Sequence, residues 1–296
     1  MSTTSNRAVV VGVDGSPTAS LAVAWAAEAA RDHDATLRLV AAYRGRPVAE
    51  AHAEAVEQLD AAVAQARRLF PDLVIESMNL SGSPTTVLLS ESGDALVLVV
   101  GSRRLGPMHR IFTTSVGRTL AVTAVCPVVV VRESPSRSIA DTRVIVGVAG
   151  PESSVELRLA AAEAARFGAG LTAVHVLTVA SQDAAALGAD ARNREVLAGH
   201  AMLGAMLRPL RTAYPDIDVR RYVVHGPVAD RLVAMSENAR LLVLGGGGSG
   251  SASALGPISR DVLRRSHCPV AVVHAAPLDA ERPAPTSGSA RNRVLT

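Results

Sequence analysis

The residues of this sequence best suited to chemistry lie in a basic, glycine-punctuated segment that follows a strongly apolar run. Leu96–Val100 is continuously apolar and rich in valine, which is typical of a strand buried on both faces, and Gly101 ends it. The basic residues that follow are Arg103, Arg104, His109 and Arg110. Guanidinium groups pair well with phosphate oxygens, so the segment predicts an anion site with phosphate as the favoured anion. A solvated loop without a ligand is the alternative interpretation.

A predicted helix, Val116–Val125, follows this segment. Thr113, Thr114 and Ser115 precede it, and hydroxyl side chains of this kind favour helix starts. The helix ends before Cys126, and a second valine-rich run follows. Because the first N–H groups of a helix lack partners within the helix, a strand–loop–helix order of this kind predicts phosphate binding at the helix N-terminus.

The composition excludes several classes of protein. All 30 lysine-plus-arginine positions are arginine, so neither a Walker-A phosphate loop nor a pyridoxal Schiff base, which both need lysine, is present. The net charge is only +3, and the aromatic residues are three phenylalanines, three tyrosines and one tryptophan. These values argue against a nucleic-acid surface built from basic and aromatic side chains.

We expect a cytoplasmic protein without membrane association. The first residues, MSTTSNR, lack the apolar core of a signal peptide, and no apolar run is long enough to span a bilayer. Two cysteines, Cys126 and Cys268, give no disulfide framework. The motifs HExxH, CxxC and GxSxG are absent, and Asp32–Asp34 is interpreted as a polar connection. We therefore predict neither catalytic nor metal-binding residues.

The sequence repeats itself, which indicates two domains of one kind. VGVDG at 11–15 recurs as VGVAG at 146–150, and AAEAAR at 26–31 recurs unchanged at 161–166. Cys126-Pro127-Val128 recurs as Cys268-Pro269-Val270. The predicted organisation is a first domain at 1–132, a linker at 133–141, a second domain at 142–276 and a disordered tail at 277–296.

Each repeat alternates predicted strands and helices. In the first repeat the strands are Ala8–Val13, Thr36–Tyr43 and Leu73–Asn79, and the helices run to about Arg31, over Ala49–Phe70 and after Pro84. This alternation predicts an α/β fold with a parallel sheet that helices cover on both faces. Ligands of such sheets lie beyond the carboxyl ends of the strands, where the strand order reverses. If the first and fourth strands are neighbours, Asp14 and Gly101 face one crevice.

Four motifs make the sequence specific, namely VGVDGS at 11–16, GSRRLG at 101–106, TSVGR at 114–118 and CPVVVV at 126–131. Together they resemble the universal stress protein family, in the tandem form typical of actinobacteria, and the resemblance covers both repeats. It implies two doubly wound sheets of five parallel strands each, Rossmann-like and similar to the adenine-nucleotide α-hydrolases. It also implies that ATP is the bound cofactor.

The resemblance assigns the ATP contacts residue by residue. The adenosine half would contact Val13, Asp14 and Ala42, and the phosphates would contact Gly101, Arg104, Thr114, Ser115 and Val116. Gly101 and Ser115 match the family's pattern, whereas Arg104 and Thr114 stand where its second and third glycines belong. Arg104 either replaces the lost backbone contact with a charged one or fills the space of the phosphate. Asp14 and Ser115 have a simpler alternative role as helix N-caps.

The second repeat departs from the pattern differently. Gly245, Gly248 and Gly256 resemble the three glycines, although the last spacing is two residues shorter than the family's. Ala149 replaces the acid, and Pro257, which has no backbone N–H, replaces the hydroxyl residue. We therefore predict that the first repeat is the main nucleotide site.

The favoured function is an ATP-binding regulator or sensor of the stress response, and not an efficient enzyme. One alternative is a slow ATP hydrolase or nucleotide-transfer enzyme, for which His109 is the one candidate base near the loop. The other is a nucleotide-free scaffold that works through protein partners. By the resemblance, we expect the two domains to pair within the chain and a homodimer to be possible.

Overall fold

The computed structural model describes residues 8–45, 47–102, 113–133, 143–178, 189–247, 255–273 and 293–295, with side chains for all of these except 113–115, 189 and 293–295. The chain forms two compact units. The first unit comprises Met1–Glu133 with Ala276–Thr296, and the second comprises Ser134–Ala275.

The first unit alternates strands and helices as predicted. Its strands are β1 (Ala8–Val13), β2 (Thr36–Tyr43), β3 (Ile75–Ser81), β4 (Ala95–Gly101) and β5 (Val128–Val131), and its helices are α1 (Pro17–Asp32), α2 (Val48–Leu69), α3 (Pro84–Glu91) and α4 (Thr113–Thr123). The starts of two elements differ from the prediction by two residues or more. β3 begins later than Leu73, because the Leu73 N–H donates to the Phe70 carbonyl in a turn. α4 begins at Thr113, so the hydroxyl residues lie in its first turn.

The strand order in the first unit is β3–β2–β1–β4–β5, and all these strands run parallel. The order therefore reverses between β1 and β4, which confirms the predicted doubly wound fold. α1 packs against the sheet through fully buried alanines, among them Ala22, Ala26 and Ala30. Such small side chains let the helix backbone lie close to the strands, which matters for the site below.

The second unit repeats this architecture. Its strands are β6 (Arg143–Gly147), β7 (Leu171–Leu177), β8 (Val219–His225), β9 (Ala239–Gly245) and β10 (Val270–Val273), and its helices are α5 (Ser154–Phe167), α6 (Ala189–Ala213), α7 (Val228–Ser236) and α8 (Pro257–Arg265). The strand order is β8–β7–β6–β9–β10, again all parallel. β6 and β9 thus stand where β1 and β4 stand in the first unit.

A short C-terminal strand, β11 (Arg293–Leu295), pairs antiparallel with β3, in the register Val294 to Ser77. These three residues fall in the tail predicted to be disordered, and residues 274–292 lie outside the described part of the chain. An edge strand such as β3 presents unpaired backbone groups, which is why a tail segment with an apolar centre pairs there.

An ion cluster lies buried between β2, β3 and α3. Arg38 donates from Nε to Glu76 at 3.0 Å and from a terminal nitrogen to Glu91 at 3.1 Å, and all three side chains are at most 9% exposed. Buried charges of this kind hold their neighbours in place but become costly when one partner is removed. Of the helices in the described residues, none combines the length and the apolarity that crossing a bilayer requires.

Candidate functional site: the carboxyl edge between β1 and β4

The centre of the candidate site is the point where the strand order of the first unit reverses. β1 and β4 are hydrogen-bonded neighbours, with Val10 opposite Leu98 and Val11 opposite Val99. Asp14 directly follows β1 and Gly101 ends β4, so both lie at the same carboxyl edge. The two residues therefore lie at one edge of the sheet, which is where parallel α/β sheets bind ligands.

Asp14 and Ser16 form a tight turn at the start of α1. The Ser16 N–H and hydroxyl both donate to Oδ1 of Asp14, at 3.1 Å and 2.5 Å. The Ser16 oxygen in turn accepts from the N–H of Ala19 at 3.1 Å, so Ser16 is the N-cap of α1, with Pro17 next to it. The alternative in which Asp14 caps the helix is therefore wrong. Asp14 is an exposed carboxylate that Ser16 orients.

Gly15 allows this turn because its φ is +68°, a left-handed conformation that side chains disfavour. α2 lies over the turn, since a Cβ atom at Gly15 would be 3.0 Å from the Gln58 side chain. The turn that contains Asp14 is thus held by the hydrogen bonds of Ser16 and by the packing of Gln58 from α2.

Gly101 is required for the packing of α1. A Cβ atom at this position would lie 2.6 Å from the carbonyl carbon and oxygen of Thr18 and 2.8 Å from the nitrogen of Ala19. Normal carbon contacts are about 3.5–4.0 Å, so no side chain fits there without moving the first turn of α1. The sequence analysis assigned Gly101 only a phosphate contact and did not predict this packing against α1.

The phosphate side of the predicted site is described only in part. The Ser102 N–H donates to the Val131 carbonyl at 2.8 Å, which fixes the start of the loop after β4. α4 begins at Thr113, so the backbone of Thr114, Ser115 and Val116 lies in its first turn. Those N–H groups are the ones that a helix leaves to an anion. Arg104 and the side chains of Thr114 and Ser115 lie outside the described residues, so their predicted contacts stay predictions.

The predicted adenine-lining residues lie at the carboxyl ends of β1 and β2. Val13 ends β1, is 7% exposed and stands opposite Ala41 of β2. Ala42 follows as a half-buried residue near the end of β2. Tyr43 packs edge-on against His52 of α2, with ring centroids 5.1 Å apart. Together these residues form a largely apolar edge, which suits a flat heterocycle.

The same edge of the second unit is built differently. The side chain of Ser153 accepts from the N–H of Ala149, the residue in the place of Asp14, at 3.1 Å. Nδ1 of His175 on β7 lies 2.8 Å from the Val148 carbonyl. α5 begins only at Ser154, whereas the residue that matches Pro17 of the first repeat is Glu152. The second unit therefore has no acid at the position of Asp14 and starts its helix two residues later.

Gly245 ends β9 and contacts both neighbouring helices. A Cβ atom at Gly245 would lie 2.5 Å from Oε1 of Glu156 in the first turn of α5. Its carbonyl accepts from the Ser259 hydroxyl in the first turn of α8 at 2.8 Å. Gly256 is the N-cap residue of α8 and Pro257 begins the helix. Gly248 lies outside the described residues.

Cys126 lies away from this edge, at the amino end of β5. Burial raises the pKa of its thiol to about 12, so the thiolate does not form at neutral pH. Among the residues that the structure describes, no group of three or more histidine, cysteine, aspartate or glutamate side chains is arranged to hold a metal ion.

The fold defines a class, a tandem α/β protein whose two units each contain a parallel sheet with a reversal of strand order. The Universal stress protein family matches residues 5–132 and 142–274. A universal stress protein of Mycolicibacterium smegmatis is 31% identical over 285 residues, which is 90% of this chain and 96% of that protein. The chain therefore belongs to the universal stress protein family, with one family domain in each repeat, and this membership supports a role in the stress response.

Solved structures agree with the fold. The crystal structure of a universal stress protein from Archaeoglobus fulgidus has a TM-score of 0.65 at 19% identity and covers 91% of this chain and 96% of its own. Another universal stress protein, 29% identical over 46% of this chain and 98% of its own with a TM-score of 0.36, was solved in complex with cAMP.

Sequence reasoning missed Ser16, Thr18 and Glu156 as residues that shape the two edges. Ser16 carried a recognisable signal, since a serine followed by proline is typical of a helix N-cap. Thr18 packs against Gly101 and Glu156 against Gly245. Both glycines are far away in the chain, and no local sequence pattern identifies such contacts.

Proposed function

We propose that the first unit binds ATP at the carboxyl edge between β1 and β4, and that the protein acts as a nucleotide-dependent regulator of the stress response. The observation that carries this proposal is the adjacency of β1 and β4, which brings Asp14 and the end of β4 to one edge of the sheet. The start of α4 follows the same strand in the chain and supplies N–H groups for an anion.

In the proposed complex the Asp14 carboxylate accepts a hydrogen bond from a ribose hydroxyl. Ser16 holds the carboxylate through two hydrogen bonds, which leaves little entropy to lose on binding. Val13 and Ala42 offer backbone groups and an apolar edge to the adenine. The first-turn N–H groups of α4, the Ser115 hydroxyl and Arg104 take the phosphates.

Calorimetry with ATP tests the proposal. The intact chain should bind ATP, and Asp14→Ala should weaken the affinity by about tenfold to a hundredfold, the usual effect of losing a charged hydrogen bond. Asp72→Ala is the matched control, because Asp72 is also an exposed aspartate but lies between α2 and β3, at the opposite edge of the sheet. Equal affinities in all three proteins would contradict the assignment of Asp14.

We also propose that the two units are unequal and that the first holds the main site. Ala149 and Pro257 remove a carboxylate and a backbone donor from the second unit. Titration of the intact chain should show about one tight ATP site, and the double variant Asp14→Ala with Ser115→Ala should lose it. A tight site that survives in the double variant would contradict this ranking.

Catalysis and partner binding are the competing functions. We expect steady-state phosphate release far below about 1 per second, the lower end of ordinary enzymes. Faster turnover on tag-free protein would favour the hydrolase alternative, and an absence of nucleotide binding would favour the scaffold. The homodimer, the pairing of the domains and the cytoplasmic location stay predictions, of which light scattering on the intact chain tests the first.

A further inference from the structure

The outer edge of β3 offers backbone hydrogen-bonding groups at alternate residues. The Leu37 N–H donates to the Val74 carbonyl, and the Gly82 N–H donates to the Tyr43 carbonyl, so Val74 and Gly82 both bond towards β2. Because alternate residues of a parallel strand bond to the same neighbour, the even-numbered residues of β3 face β2. The residues whose backbone groups face away from β2 are Ile75, Ser77, Asn79 and Ser81.

The C-terminal strand β11 covers the middle of this edge. Its central residue, Val294, stands opposite Ser77 in an antiparallel register, with Leu295 opposite Glu76 and Arg293 opposite Met78. Since the backbone of Ser77 faces outward, Ser77 and Val294 are the residues that exchange N–H and carbonyl bonds. Among the strands that the structure describes, no other one pairs with the outer edge of β3.

The sequence of β3 lacks the features that usually protect an edge strand. It contains no proline, lysine or arginine, and its one charged residue, Glu76, is buried in the ion pair with Arg38. β3 is also complementary to itself. With a two-fold axis at Met78, an antiparallel second copy of β3 brings Ser77 opposite Asn79, and the flanking outward residues pair as well. This ladder offers about eight backbone hydrogen bonds, against about two for Val294.

The matching edge of the second unit, β8, is protected by arginines. The strand registers place the exposed Arg221 where β3 has Ser77, and Arg220 beside it is exposed as well. The carbonyls of the first and last residues of β8 accept hydrogen bonds from Arg211 at 3.2 Å and from Arg231 at 2.9 Å. Charges and occupied backbone groups of this kind discourage strand pairing. The first unit has the C-terminal strand in their place.

We propose that the outer edge of β3 is a self-association surface, which β11 of the same chain covers, and that two copies of the protein pair antiparallel through β3 when β11 is released. This inference is independent of the proposed nucleotide site. A segment tethered to its binding site has an effective concentration of about 1 mM, which is about a hundredfold above that of a second copy at 10 µM. The C-terminal strand therefore keeps the edge covered at ordinary protein concentrations.

The test compares two proline variants of the full chain by light scattering and sedimentation equilibrium, without nucleotide. Val294→Pro removes the N–H that bonds to Ser77, so the mass at about 10 µM should double relative to the intact chain, and the self-association should tighten at least about 30-fold. Arg293→Pro is the matched control, because the Arg293 N–H faces away from β3 and proline is tolerated at the first residue of a strand. Its mass should equal that of the intact chain.

A substitution in β3 identifies the surface. Adding Ser77→Arg to Val294→Pro introduces the residue that β8 has at this position, and adding Ser77→Pro instead removes the outward N–H. Both leave the bonds to β2 in place, and both should restore the mass of the intact chain. Urea unfolding followed by Trp25 fluorescence checks that the first unit is folded in each variant. An unchanged mass for Val294→Pro, equal association of Arg293→Pro, or association that survives both Ser77 variants would each overturn the inference.

Discussion

Replacing Gly101 with alanine should destabilise the first unit even in the absence of any ligand. The new Cβ atom would lie 2.6 Å from the Thr18 carbonyl group and 2.8 Å from the Ala19 nitrogen. These are backbone atoms in a turn that Ser16 caps, so they cannot swing aside as a flexible side chain would. α1 must move by about 1 Å to restore normal contact distances.

Overpacking of this kind usually costs about 1–3 kcal/mol, and the rigidity of the capped turn places the expected value near the upper end. Urea unfolding is the assay, because Trp25 is the only tryptophan of the chain and lies on α1 itself. With a urea dependence of about 2 kcal/mol per molar, the midpoint should fall by roughly 1–1.5 M. The fluorescence follows the first unit alone, which avoids treating the two units as one transition.

Gly93→Ala is the control, since no atom outside its neighbours lies within 4 Å of the position that its Cβ would occupy. Its free energy of unfolding should change by less than about 0.5 kcal/mol, which shifts the urea midpoint by less than about 0.25 M. If Gly101→Ala leaves the midpoint unchanged and weakens only ATP binding, then the glycine serves the ligand alone and the packing argument is refuted.

Other substitutions test the remaining parts of the fold. Arg38→Ala should lower the free energy of unfolding by about 3–5 kcal/mol in the same assay, because it leaves the Glu76 and Glu91 carboxylates buried together without their cation. A loss of stability below about 1 kcal/mol would show instead that the cluster is hydrated. Ser16→Ala should cost about 1 kcal/mol as a lost N-cap and also weaken ATP, whereas the exposed Ser20→Ala should do neither. Burial raises the pKa of the Cys126 thiol to about 12, so Cys126 should resist alkylation at pH 8 in the folded protein and react after unfolding. Rapid labelling of Cys126 in the native chain would contradict its burial.

Local signals in the sequence were sufficient to predict most of the fold. Valine-rich runs such as Val128–Val131 predicted buried parallel strands, and the bounds of β1, β2 and β5 agree with the prediction. The internal repeat predicted two units of one architecture, which the strand orders of the two units confirm. These features depend on neighbouring residues, which is why a single sequence reveals them.

The packing of the site could not be predicted in the same way. The resemblance assigned Gly101 to a phosphate contact, yet the atoms that require glycine there belong to α1. Likewise, the sequence showed that the second repeat lacks an acid at Ala149 but not that Glu156 brings a carboxylate to Gly245 from another element. Contacts between residues distant in the chain depend on where helices begin, and a shift of two residues at the start of α5 was enough to change them.

The nucleotide content of the purified protein tests the central claim most directly. Tag-free intact chain is washed, denatured by heat, and its supernatant separated by ion-exchange chromatography with ATP, ADP and adenosine standards. We predict ATP at close to one equivalent per chain, and a loss of that ATP from the Asp14→Ala, Ser115→Ala double variant. Protein that carries no adenine nucleotide, and that takes up none when incubated with ATP, would contradict the claim that the first unit is an ATP site.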